Sequence, residues 1–197
     1  MCDKLPETSL LEQVVLRERQ ARDRSWWPQM AATYWPDSRV HLTWYAGDGP
    51  GFVTASERMS HRGDRSVHRL SAPVVHRGGD RAWLELPAAI EVRSDVNDVP
   101  VDLVSYTRIG YRLERREDEW RIAALDVVYE RDTIAAVLPG TQIDLPHHAF
   151  AGYRSSYAVL AWHLHRRGYD VSGDLLGDDQ PGPRDEYYAN TFAWLHG

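Results

Sequence analysis

This sequence predicts an α+β fold: a strongly curved antiparallel sheet wrapped around N-terminal helices, with a C-terminal helical extension. Three observations lead there. Apolar residues recur at helical spacing through the first third of the chain, interrupted by a single strand pattern. From Ser66 the texture changes to long alternating runs joined by short polar links, which pair antiparallel in sequence order. Past Gly140 helical spacing returns. The division that follows is a sheet-and-helix domain over residues 1–140 and a helical extension over 141–197, packed on the same domain.

Residues 1 to 7 read as a disordered lead. Ser9-Leu10-Leu11-Glu12 is a capping-box pattern, so the first helix is expected to begin there, with Leu10, Leu11, Val14, Val15 and Leu16 as its apolar stripe. Asp23 lies seven residues after Leu16 and returns to nearly the same face, pointing inward at the helix end. Pro28 suits the first turn of a second helix through Met30 and Tyr34, stopped at Pro36-Asp37. Arg39 to Tyr45 alternates as a strand, Gly47 to Gly51 breaks the chain, and Phe52 to His61 reads as a short helix. Three alternating runs follow, Ser66–His76, Arg81–Val96 and Val101–Glu114, with a fourth from Trp120 to Glu130. In the extension, Tyr153 to Arg167 is predicted helical and closed by Gly168, and Arg184 to Leu195 forms a last helix.

Composition narrows the function. A formal net charge of −6 argues against nucleic acid, which needs a clustered basic footprint, and Arg17, Arg19, Arg22 and Arg24 read as a solvated helix face diluted by Glu12 and Glu18. One cysteine, Cys2, excludes a disulfide framework and suits a reducing cytoplasm. No apolar run approaches the ~18 residues of a membrane span. Eight Trp and ten Tyr against three Phe supply large rings with polar handles, suited to a pocket or an interface. His147-His148 and His163-x-His165 lack a carboxylate at ligand spacing, so no metal is expected.

The order of elements, with Asp23 four residues before Trp27, Ala32 to Val40 leading into the first strand and Trp120-Arg121-Ile122 opening the last, resembles the SnoaL-like branch of the nuclear transport factor 2-like superfamily. The resemblance covers residues 8 to 132 and is nearest to the scytalone dehydratase-like members. It implies a cone-shaped barrel around a deep apolar cavity. It matches Asp23 and His68 to a catalytic Asp/His pair, and Ser105 to a serine on the third meander strand. It departs at Arg22 and Leu42, where tyrosines are the pattern, at Thr107, where it has Asn, and at Glu91, which falls near a second catalytic His. It also implies a homodimer through the outer sheet face, with a trimer as the alternative.

The residues support the pair independently, because an imidazole whose other nitrogen is held by a carboxylate can move protons near neutral pH. Trp27, Tyr34 and Trp44 are candidate aromatic walls, and Ser105 and Asp126 candidate contacts to substrate oxygen. Glu91 would enter the pocket only through a bulge near Pro87. The function expected is a cofactor-independent dehydratase or isomerase acting on a hydrophobic, oxygenated, cyclic small molecule. The alternative is a non-catalytic small-molecule-binding or assembly domain of the same fold.

Overall fold

The computed structural model describes residues 6–197, so Cys2 and most of the expected lead lie outside the described residues. Helix α1 spans Glu7–Asp23. It begins two residues before Ser9: the Leu10 amide donates to the Pro6 carbonyl at 3.1 Å, and Ser9 to Glu12 lie inside the first turns instead of capping them. Helix α2 is a single turn, Trp27–Ala31, shorter than expected, because Tyr34 already enters strand β1 (Tyr34–Leu42). Between Tyr34 and Arg39 the chain advances five residues while its partner advances two, from Ile122 to Ala124. Pro36, which has no amide to donate to a ladder, sits in that bulge.

Strand β2 (Tyr45–Asp48) lacks apolar alternation and was not foreseen. It folds back antiparallel on β1 and delivers Asp48 as the cap of α3 (Gly49–His61), accepting from the Gly51 amide at 2.6 Å. The run Ser66–His76 is two strands, β3 (Val67–Leu70) and β4 (Val74–Gly78), separated at Ser71 to Pro73. Both pair antiparallel with β5 (Arg81–Val96), which continues into β6 (Val99–Arg116) and β7 (Glu119–Ala136). The two long hairpins close on residue pairs with positive φ, Asn97-Asp98 (48° and 61°) and Glu117-Asp118 (52° and 64°), the backbone that a tight two-residue turn between twisted strands requires.

The sheet order is β2-β1-β7-β6-β5-β3, with β4 on the same edge as β3 and the short β8 (Leu176–Gly177) running parallel beside β7. The β1–β7 pairing is also parallel. The sheet is not closed: β2 and β3/β4 are its edges, so the barrel implied by the resemblance is an open, curved sheet.

Its inner face carries Leu84, Leu86, Leu103, Ile109, Tyr111 and Leu113, packed with Leu11 and Val15 of α1 and Phe52 of α3. One register shift decides what β7 contributes. Arg112 opposes Ala124 while Leu113 opposes Ile122, so an extra residue reverses the alternation. Ile122, Leu125, Val127 and Tyr129 therefore all join the core, and Asp126 is turned to the outer face.

The C-terminal segment covers the sheet from two sides. Helix α4 (Ala158–Arg166), ended by Gly168 at φ +79°, lies against β6 and β7 at the inner side. Helix α5 (Pro181–His196) lies on the outer face. There Tyr188 donates to Glu85 at 2.9 Å, Arg112 to Thr191 at 3.0 Å and Arg81 to the Trp194 carbonyl at 2.7 Å, and Phe192 meets the ring of Trp83. Part of the face on which a second copy was expected is thus taken by the chain's own helix. Among the described residues no helix is long and apolar enough to cross a membrane.

The seat of α5 is close enough to test. A Cβ on Gly78 would lie 2.1 Å from the Leu195 carbonyl oxygen, a backbone atom that cannot rotate away. Gly78→Ala should destabilise the fold by ~1–3 kcal/mol, lowering the thermal midpoint by ~2–4 °C for each kcal/mol. An unchanged midpoint by differential scanning calorimetry would show that α5 does not dock there.

Candidate active site

The last turn of α1 and the first residues of β3 meet at one carboxylate. Asp23 accepts two hydrogen bonds from the same residue, from the His68 backbone amide at 2.8 Å on Oδ2 and from His68 Nδ1 at 2.6 Å on Oδ1. The opposite edge of the ring, Nε2, lies 3.3 Å from Arg19 Nη1. These partners fix the tautomer. A carboxylate only accepts and a guanidinium only donates, so the proton is on Nδ1 and the Nε2 lone pair faces Arg19.

Arg19 is held in turn by Glu18, a residue with no exposed surface. Both Glu18 oxygens receive Arg19, and they also accept from Tyr34 at 2.9 Å and Tyr111 at 3.2 Å. Four donors around one carboxylate make this buried ion pair tolerable, since a buried charge short of partners costs several kcal/mol. Burial acts to lower the Arg19 pKa, but the charge of Glu18 outweighs it and holds it well above the ordinary value.

The same environment sets the imidazole. Burial favours the neutral ring; hydrogen bonding to Asp23 opposes this, while the nearby charges of Arg19 and Arg22 reinforce it, leaving His68 with a pKa lowered to about 4. Burial would raise the Asp23 pKa, but the hydrogen bonds and charge of His68 win and hold it below the ordinary carboxylate value. At neutral pH the site therefore presents a neutral imidazole backed by an ionised carboxylate.

His68 faces a cavity of about 240 Å³. Its apolar wall comes from the inner sheet face, Ile90, Val92, Ile109, Leu125 and Val127, joined by Trp44 and by Phe52 and Met59 of α3. The roof is the C-terminal segment: Leu160, His163 and Leu164 of α4, then Arg167 and Tyr169. A latch ties that roof to the loop before β3, where Asp64 accepts from Arg167 at 2.5 Å and from Tyr169 at 2.9 Å.

The remaining candidates separate clearly. Trp44 lines the cavity. Tyr34 is behind it, spent on Glu18, and Trp27 packs half-buried against the core without reaching the lining. Ser105 is on the inner face and fully buried, its Oγ without a partner among the described residues, yet it is not part of the cavity wall. Two expectations are corrected. Glu91 stays on the outer side, paired with Arg69 at 3.0 Å, because β5 runs through Pro87 in unbroken register with β6. Asp126 is on the outer face, paired with Arg39 at 2.6 Å, because of the extra residue in β7.

Sequence reasoning missed Glu18, Arg19, Arg22 and His163. The signal for the first three was their spacing, since Leu11, Val15, Glu18, Arg19 and Arg22 fall on one helical stripe. Among the described residues no group of three or more His, Cys, Asp or Glu side chains is arranged to hold a metal ion.

Comparison with known proteins follows this geometry. A family model described as SnoaL-like domain matches residues 5–126. No curated protein matches the chain in sequence. Among solved structures, a type 2 hexachlorocyclohexane dehydrochlorinase superposes with a TM-score of 0.58 at 10% identity, covering 71% of this chain and 95% of that one. A protein of unknown function from Mycobacterium tuberculosis gives 0.54 at 13%, over 83% and 96% of the two chains. A proposed scytalone dehydratase from Novosphingobium aromaticivorans gives 0.53 at 13%, over 72% and 93%. At such identities the similarity is one of fold.

The depressed His68 pKa makes stability depend on pH. The unfolded chain, with its imidazole near 6.5, binds a proton that the folded chain resists until about 4, so stability falls as pH drops through that window, by on the order of 3 kcal/mol in all. Asp23 acts below it, its contribution lost as pH falls beneath the ordinary 3.8. Urea unfolding of wild type and His68→Gln between pH 7 and 4 should show a steeper loss in wild type. Parallel curves would mean that the ring titrates alike in both states.

Proposed function

The chain belongs to the SnoaL-like domain family, and from the geometry of its cavity we propose that it is a cofactor-independent enzyme moving protons on a small hydrophobic, oxygenated, cyclic substrate, as a dehydratase or an isomerase. The observation that carries this reading is the 2.6 Å contact of His68 Nδ1 with Asp23 on the wall of a roofed cavity with an apolar side and a polar side. A neutral imidazole is the protonation state of a base, and its Nε2 contact to Arg19 is long enough, at 3.3 Å, to be displaced by a substrate proton.

In the elimination, Nε2 takes the proton from the carbon next to a carbonyl and the C–H electron pair passes into an enolate. Collapse of the enolate expels the β-hydroxyl, which leaves as water with the proton carried by the imidazolium. Asp23 steadies the positive ring in between and prevents it from turning. Isomerisation uses the same first step and returns the proton to a different carbon. The dehydrochlorinase and scytalone dehydratase names of two structural neighbours are consistent with eliminations on this fold.

The assembly reading has less support. It needs a free outer face, and α5 occupies that face over β4 and β5. A homodimer would use the remainder of the outer sheet.

The test is turnover of a panel of cyclic β-hydroxy ketones, followed by the absorbance of the enone formed. His68→Ala and Asp23→Asn should each lower kcat/KM by ~10²–10⁴-fold, with thermal midpoints within a few degrees of wild type. Activity that survives both substitutions would rule out the pair as the proton-transfer group.

A further inference from the structure

The cavity holds more positive donors than its own acceptors use. Of the arginines on its lining, Arg19 is bound by Glu18, Arg93 by Asp102 and Arg167 by Asp64. Arg65 is exposed to solvent at the rim. Arg22 is different. It is half-buried on the last turn of α1, and among the described residues no carboxylate lies within 4.0 Å of its guanidinium. Its contacts are Ser66 Oγ at 3.3 Å and Met59 Sδ at 3.5 Å, two weak acceptors for a group with five N–H donors.

The neighbouring acids are committed elsewhere. Both Asp23 oxygens receive His68, and both Glu18 oxygens receive Arg19 and a tyrosine. Asp95 also lines the cavity but is exposed. Arg22 is held in place without being neutralised, for its guanidinium lies over the Trp44 ring at 5.6 Å from the centroid. A planar cation fixed on an aromatic wall, with donors unspent beside the cavity, is an arrangement that recognises a carboxylate by two parallel hydrogen bonds.

We propose that Arg22 is the subsite for an anionic oxygen group, so that the substrate class is a small ring compound bearing a carboxylate, seated with its acid on Arg22 and its ring between Trp44 and the sheet. This rests on the reading of the cavity as the substrate site. A cavity of about 240 Å³ is smaller than the ~300–1,000 Å³ of drug-sized sites, which limits the ring system to one or two rings. The burial that lowers the Arg22 pKa to about 10 leaves it charged at neutral pH.

The test is equilibrium binding, independent of any reaction. Benzoate and its neutral isostere benzamide are titrated into the full chain by isothermal calorimetry at pH 7.5, in a buffer free of carboxylate. Wild type should bind benzoate about tenfold tighter than benzamide, or better, the worth of one charge-assisted contact. Arg22→Gln should lose that preference, and Arg22→Lys, which keeps the charge but not the planar fork, should keep part of it. Equal binding of the two probes, binding of neither, or a preference that persists in Arg22→Gln overturns the subsite. If the preference stands while no ketone is turned over, the subsite survives and the proposed reaction does not.

Discussion

One carboxylate joins the two halves of this molecule. Asp23 ends α1, His68 opens the meander edge, and Asp23 takes both the ring and the backbone N–H of His68. The backbone bond fixes where β3 begins relative to the helix, and the ring bond fixes which way the imidazole faces. The group that ties the start of β3 to α1 is therefore the one that also sets the imidazole's tautomer. A carboxylate half removed from solvent is costly without partners, and here the partner is the residue it orients.

Behind that contact lies a buried charge pair, Glu18 and Arg19, satisfied by Tyr34 of β1 and Tyr111 of β6. Replacing such a pair with apolar side chains is often neutral or stabilising, so its presence is better explained by what it does to its neighbours. Arg19 adds positive charge beside Nε2 and, with burial, keeps the ring neutral. The same few residues around one helix turn thus bury a charge pair and set the protonation state of the ring.

How much of this was legible in the sequence varies by element. The long strands of the meander were readable, since each alternates over many residues and is bounded by polar turns. The Asp23–His68 contact was expected from the resemblance, which matches the two residues to a catalytic pair; the helix pattern by itself only turns Asp23 inward. The stripe itself was misjudged: Glu18 and Arg19 were read as solvated because charged side chains are seldom buried, and only their tertiary partners make the exception. Asp126 was misplaced by strict alternation, which one extra residue in β7 reverses. Strand β2 is four residues without an apolar pattern and exists through its pairing with β1. The roof over the cavity, α4 with Arg167 and Tyr169, comes from outside the matched family region and latches onto Asp64 within it, and no local pattern announces where such a segment will dock.

The central claim is that His68 is a neutral imidazole, protonated on Nδ1 toward Asp23, with its other nitrogen unprotonated and facing Arg19 at the cavity wall. Nitrogen-detected NMR of the labelled imidazole, followed from pH 8 to 4, tests it directly. The account predicts one fixed tautomer, with Nδ1 protonated and Nε2 bare, and no protonation until the pH approaches about 4. A ring that titrates near 6.5, or that exchanges freely between tautomers, would contradict it.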